Sequence, residues 1–162
     1  MTFFISHQRR PSSLVNISVY AFGLTGLWTA VSLVILQFKI LEIVGDEHKA
    51  TWVGIISIVG LAITAVIQPI VGGISDGSHF RLGRRLPFIV VGSLGLLLST
   101  VLLGLVNTLG SLIVVFVSMQ IFGNIAQSAG NGLLLDHVGN NRRGAASGAL
   151  NLSRAAGAGI VT

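Results

Sequence analysis

Long apolar runs alternate along the chain with short polar stretches. No Asp, Glu, Lys or Arg occurs from Pro11 to Phe38, from Ala50 to Ser75 or from Leu86 to Leu135. About 20 apolar residues, rising 1.5 Å each, cross the hydrocarbon core of a bilayer, so every one of these runs is long enough to span it. The third run has 50 residues and must be cut. Asn107-Thr108-Leu109-Gly110-Ser111 is the cluster of turn formers near its middle. The pattern therefore predicts helices over about 14–37, 52–74, 86–106, 111–135 and 144–162. Barrel strands would be about 10 residues long with alternating polarity. No such alternation is present, so the fold class is an all-α integral membrane bundle of about five transmembrane helices.

Composition agrees with the pattern. Of the 162 residues, 52% are apolar and 9% are charged, against roughly 25% charged in an ordinary soluble domain. That excludes a soluble globular fold, and the high hydrophobicity excludes disorder. A net charge of +5 could point to nucleic acid. Here, however, the cations sit in short loops, where membrane orientation requires them. Arg9 and Arg10 precede the first helix, Arg81, Arg84 and Arg85 lie in loop 2–3, and Arg142 and Arg143 lie in loop 4–5. Loop 1–2 carries only Lys39 and Lys49, beside Glu42, Asp46 and Glu47. This asymmetry predicts a cytoplasmic N-terminus in a cell membrane, with Thr162 at or near the outer face. The first apolar run is too long for the core of a signal peptide and reads as a retained helix.

Little in the sequence points to catalysis. There is no cysteine, which excludes disulfides, thiol chemistry and cysteine-ligated metals. His7, His48, His79 and His137 are isolated and outside the apolar runs, as expected of solvated loop histidines. No metal, cofactor or catalytic dyad is expected, and the chain does not read as an enzyme.

The helix faces carry more information. Segment 3 has only Ser93, Ser99 and Thr100 as polar side chains, which suits it to lipid contact. Segment 4 carries Gln120, Asn124, Gln127 and Asn131, spaced by four, three and four, a single helical stripe. Four amides facing hydrocarbon would each cost a few kcal/mol, so the stripe faces protein or a water-filled cavity. Segment 1 has a weaker stripe of Thr25, Trp28, Thr29 and Ser32. Both stripes admit a second reading, interhelical hydrogen bonding with no ligand. In segment 5, Gly144, Ala145, Gly148, Ala149 and Gly157 suit close packing. Arg154 is the only charge inside a predicted span. It either faces a cavity near the bilayer midplane, opposite the Gln127/Asn131 end of the stripe, or snorkels to the cytoplasmic face.

The most specific stretch is Gly72-Gly-Ile-Ser-Asp76-Gly-Ser-His-Phe-Arg81-Leu-Gly83-Arg84-Arg85-Leu-Pro87-Phe88. Asp76 is expected just past the C-terminal end of helix 2, where the helix dipole disfavours an anion. It needs cations, and Arg81, Arg84, Arg85, Arg142 and Arg143 are the candidates. Gly83 permits a tight loop, and Pro87 suits the first turn of helix 3. The glycines lack the Gly-Lys-Ser/Thr of a phosphate-binding loop, so an ATPase reading fails.

On these residues the chain resembles the major facilitator superfamily, in its N-terminal part. Gly72-x-x-x-Asp76 followed by Gly83-Arg84-Arg85 looks like the signature loop between the second and third spans. Arg81, Pro87-Phe88, Gln68-Pro69 and the junction Asp136…Arg142-Arg143-Gly144 are most similar to the sucrose and glycoside symporter branch. The resemblance implies alternating access in a fold of two six-helix halves, with segments 1 and 4 lining the cavity and segment 3 peripheral. It implies a small solute such as a sugar or glycoside, possible coupling to a cation, and no role for nucleic acid. Trp28, Gln120, Asn124, Gln127, Asn131 and Arg154 are the candidate cavity residues, and Gly72, Asp76, Arg81, Gly83, Arg84 and Arg85 the candidate cytoplasmic gate. Five helices are fewer than one half, so missing helices or a second copy would complete the transporter. The alternative is a non-transporting membrane assembly protein.

Overall fold

The computed structural model describes residues 12–78, 83, 85–137 and 143–160. All regular structure among them is helical: α1 (Ser12–Ala30), a π-helical turn (Val31–Ile35), α2 (Leu36–Val44), α3 (Asp46–Gly77), α4 (Leu86–Leu105), α5 (Leu109–His137) and α6 (Arg143–Gly159). The first rod, Val15–Val44, built of α1, the π-helical turn and α2, is long and apolar enough to cross a membrane, as are Asp46–Gly77, Leu86–Leu105 and Leu109–Leu133. With 17 residues, α6 is the shortest of the five segments expected to span.

The first loop differs most from expectation. The rod does not stop at 37, and α3 begins at Asp46 rather than 52, so the only residue between α2 and α3 is Gly45. Its φ of 75° lies in the left-handed region, which glycine enters without steric cost. The charges read as loop residues sit on helices instead. Lys39 Nζ pairs with Glu42 Oε2 at 2.8 Å, three residues on. Asp46 and Glu47 occupy the first turn of α3, where an acid complements the dipole.

The start of α5 also shifts, from 111 to Leu109, and capping explains it. Ser111 N–H donates to Thr108 Oγ1, and Thr108 N–H donates to Ser111 Oγ, both at 3.3 Å. This reciprocal pair satisfies two orphan donors, as a capping box does.

In the bundle, α5 is central. It packs along α4 and α3 and touches α1, while α6 lies along α1 and α2 along α3. The main core comprises Val31, Leu36, Ile40, Ile56, Leu96, Leu103, Leu112, Phe116 and Met119. A smaller cluster, Ile17, Ala21, Ala146 and Leu150, joins α1 to α6. Segment 3 behaves as its composition predicts. Val90, Leu94, Leu97, Leu98, Val101 and Leu105 of α4 face outward, as a lipid-facing wall requires. Its inner face is Gly92, Leu96, Ser99 and Leu103. At Gly92 a Cβ would lie 2.5 Å from Ala126 N and 2.8 Å from Phe122 O, so glycine is what lets α4 approach α5 this closely.

Candidate functional site

One end of the bundle gathers the C-terminus of α3 and the N-terminus of α4. Helix α3 runs through Gly77, so Asp76 lies in its last turn rather than beyond it. Gly83 has a φ of 97°, as the tight loop requires. Pro87 sits in the first turn of α4 with Arg85 at the N-cap. Arg85 forms an ion pair with Asp76 and donates to Ser75 Oγ at 3.3 Å. Its guanidinium fills the space beside Gly132 of α5. The arginine is buried and the aspartate exposed. Of the cations proposed for Asp76, Arg85 is thus one that reaches it. Arg81, Arg84 and Arg142 lie outside the described residues, and Asp136 and Arg143 are placed by backbone alone. Gly72 faces Ser128 of α5, with 3.6 Å between a Cβ at Gly72 and Ser128 Oγ.

Deeper in, the amide stripe of α5 faces α3 and α6. Gln68 Nε2 donates to Asn124 Oδ1 and to Gln127 Oε1, both at 2.9 Å. Asn124 Nδ2 donates to Thr64 Oγ1 at 3.0 Å and to Gln120 O at 2.7 Å. Thr64 Oγ1 in turn donates to Gly60 O at 2.9 Å, and Ser128 Oγ donates to Gln68 O at 2.9 Å. Both N–H groups of Gln68 and both of Asn124 are therefore engaged within the protein. Asn124 is 2% exposed, which makes it an interhelical link. Next to Gln68, Pro69 lies inside α3 and cannot donate to the carbonyl four residues back.

Two open spaces flank the network. The larger is a cleft of about 370 Å³ bordered by the first rod, α3 and α5, with Trp28, Ser32, Gln37, Ser57, Thr64 and Gln120 among its lining residues. Trp28 packs its ring on Gly123. The smaller pocket lies between α1, α5 and α6 and is lined by Tyr20, Thr25, Gln127, Leu150 and Arg154. Tyr20 Oη bonds Ser93 Oγ at 3.3 Å and Ala126 O at 3.4 Å, so its ring forms a fixed wall. Arg154 hydrogen-bonds Asn131 Oδ1 and lines the pocket, beside the Gln127/Asn131 end of the stripe.

The candidate cavity residues thus fall into three environments. Trp28 and Gln120 border the cleft, Gln127 and Arg154 the pocket with Asn131 behind, and Asn124 lies in the contact between helices. Sequence reasoning missed Thr64, Gln68 and Ser128 as members of the polar interior. Ser57, Thr64 and Gln68, spaced by seven and four, were the available signal. Chemically the arrangement offers hydrogen-bond donors and acceptors and one guanidinium inside an apolar bundle, a set that suits binding a polar solute.

The family model of the Major Facilitator Superfamily matches residues 4–162. No solved structure matches the chain. The chain belongs to the major facilitator superfamily and is a multi-pass membrane protein of this transporter family.

Proposed function

We propose that this chain takes part in moving a small polar solute, a sugar or glycoside, across the cell membrane by alternating access with cation coupling. The observation that carries the reading is the polar face of α5. Gln120 opens on the cleft and Gln127 on the pocket, while the outer surfaces of α3 and α4 expose Ile58, Val91, Leu94 and Leu98. Amides cost a few kcal/mol each in hydrocarbon, so their concentration on an inward face reserves it for water and solute. In this reading Trp28, Gln120, Gln127, Asn131 and Arg154 border the solute, and Asp76 with Arg85 latches the cytoplasmic end. The N-terminus and the Asp76 end are cytoplasmic. Further helices, or a second copy, supply the opposing wall.

Uptake of labelled sugars and glycosides by cells expressing the protein tests this. Accumulation that is lost in Gln120→Leu and in Trp28→Ala, with the protein still in the membrane, supports transport. Accumulation equal to that of cells lacking the protein overturns it. The second reading, a non-transporting assembly protein, rests on the network around Asn124 and Gln68, whose donors are engaged between helices. It expects no uptake and a partner membrane protein retained on purification.

A further inference from the structure

We infer that Gly60 is a specificity-determining position of the larger cleft. By carrying no side chain it holds the Gln120 amide at the cleft as an open hydrogen-bond donor, which fits the site to an uncharged, hydroxyl-rich solute. This rests on the reading of the cleft as a solute site and narrows its chemistry.

Gly60 of α3 is buried. A Cβ there would lie 2.1 Å from Gln120 Nε2, 3.1 Å from Gln120 Cδ and 3.2 Å from Phe116 Cζ. The glycine thus leaves the room into which the end of Gln120 extends. Asn124 Nδ2 lies 3.5 Å from Gln120 Oε1, on the oxygen side of the amide, so Nε2 is the end turned to Gly60. Nε2 has no hydrogen-bond partner among the described residues, and no side-chain nitrogen or oxygen described as unpartnered is sealed from solvent. Its N–H groups are therefore accessible, on a residue that lines the cleft. Trp28 is seated in the same manner. A Cβ at Gly123 of α5 would lie 2.3 Å from its Cζ3, so a second glycine makes room for the indole that borders the cleft. Ser32, Gln37, Ser57 and Thr64 supply further polar groups, and none of the described residues that border the cleft is charged. Hydroxyls and amides pair with solute hydroxyls as donors and as acceptors, and an indole offers a flat apolar surface. A charged solute would lose water here and gain no opposite charge from these residues, which is costly. At about 370 Å³ the cleft falls within the range of small-molecule sites, roughly 300–1,000 Å³.

The test is calorimetric titration of the purified protein in lipid nanodiscs with methyl glucoside and methyl glucuronide, pyranosides that differ only in a hydroxymethyl group against a carboxylate. The neutral glycoside is expected to bind at least about tenfold tighter. Gly60→Ala should weaken it about threefold to tenfold, the share of one neutral hydrogen bond. The unfolding temperature should stay where it is, because the new methyl meets first the flexible end of a side chain. Gln120→Ala should lose as much, and adding Gly60→Ala to it should cost nothing further, since both remove one interaction. In the Gly60→Ala background Gln120→Asn, one methylene shorter, clears the methyl and should recover part of the affinity. Additive losses, or undiminished binding in Gly60→Ala, would overturn the role of Gly60. So would a loss that comes with a lower unfolding temperature and is not recovered by Gln120→Asn, which would make Gly60 a packing residue only. Glucuronide binding as tightly as glucoside would overturn the uncharged class, and each of these results leaves the solute site standing. Binding of neither glycoside would bring down both the assignment and the solute reading of the cleft.

Discussion

The guanidinium of Arg85 occupies the space that a Cβ on Gly132 would need. Gly132 is the floor on which the arginine lies while it reaches Asp76 and Ser75. Three helices are thereby joined at one point: α3 through the acid, α4 through the base and α5 through the absence of a side chain.

A methyl group at Gly132 is therefore expected to act as a substitution of the ion pair. Gly132→Ala should shift Arg85 off Asp76 and slow solute exchange as much as Asp76→Asn does. The double variant should be no slower than either single one, because both remove the same contact. Additive losses in proteoliposome exchange rates would separate the two residues.

Asp76→Asn itself is expected to alter cycling more than affinity. The carboxylate is exposed, lies in the last turn of α3 and lines neither the cleft nor the pocket. The buried Arg85 keeps its bond to Ser75 Oγ and the replaced carboxylate is on the solvated side of the pair, so the cost to folding should be modest. Equilibrium binding and exchange rate measured on the same preparation decide the matter, and weakened binding with normal exchange would reverse the assignment.

Replacing Asn124 should cost stability. Asn124→Leu deprives Gln68 Nε2 and Thr64 Oγ1 of one of their two partners each inside the bundle. Interhelical polar contacts in membranes are worth about 0.6 to 2 kcal/mol, and that is the expected loss of unfolding free energy in micelles. An unchanged unfolding curve would mean that water replaces the amide.

Gly92→Ala should loosen α4 from α5. The new methyl would meet backbone atoms, Ala126 N and Phe122 O, which cannot rotate away as a side chain can. Forcing a packed interface apart costs about 1–3 kcal/mol, visible as a lower unfolding temperature. Gly104, on the outward side of α4, has nothing near its Cβ position, so Gly104→Ala is the neutral control.

Cysteines at Ser78 and Asp46 should label from opposite sides of the membrane. They stand at the two ends of α3, whose 32 residues reach about 48 Å, more than the thickness of a hydrocarbon core. Labelling from one side only would require α3 to lie along the surface. Labelling of Ser78→Cys from the cytoplasm would fix the direction.

The spans were legible because hydrocarbon imposes a length, and the uncharged runs report it. The amide stripe was legible as a face, for the same reason that any 3.6-residue period is. Its partner was not. Nothing local to Asn124 indicates that its bonds go to Gln68 and Thr64, about sixty residues earlier in the chain. The charges around Gly45 misled in the opposite sense. Lys39 and Glu42 pair along one helix and Asp46 and Glu47 favour the start of the next, so a polar stretch that resembled a loop is helix on both sides of one glycine. At Arg154 the sequence left two positions open, and the structure adds one contact, to Asn131 Oδ1.

The π-helical turn at Val31–Ile35 changes how the first rod must be read. Trp28 and Gln37 both line the larger cleft, yet nine residues at about 100° each would set them on opposite sides of an unbroken α-helix. The wider turn holds an extra residue, and everything after it is rotated backward relative to everything before. The rod thus carries a phase slip, and a helical wheel drawn across it gives wrong neighbours beyond residue 35. Straightening the turn into α-helix with no residue removed would swing Gln37 out of the cleft, whereas deleting one residue there leaves eight steps, about 80° on an unbroken helix, and keeps both side chains on it. The phase of the rod is set by its length as well as by its sequence.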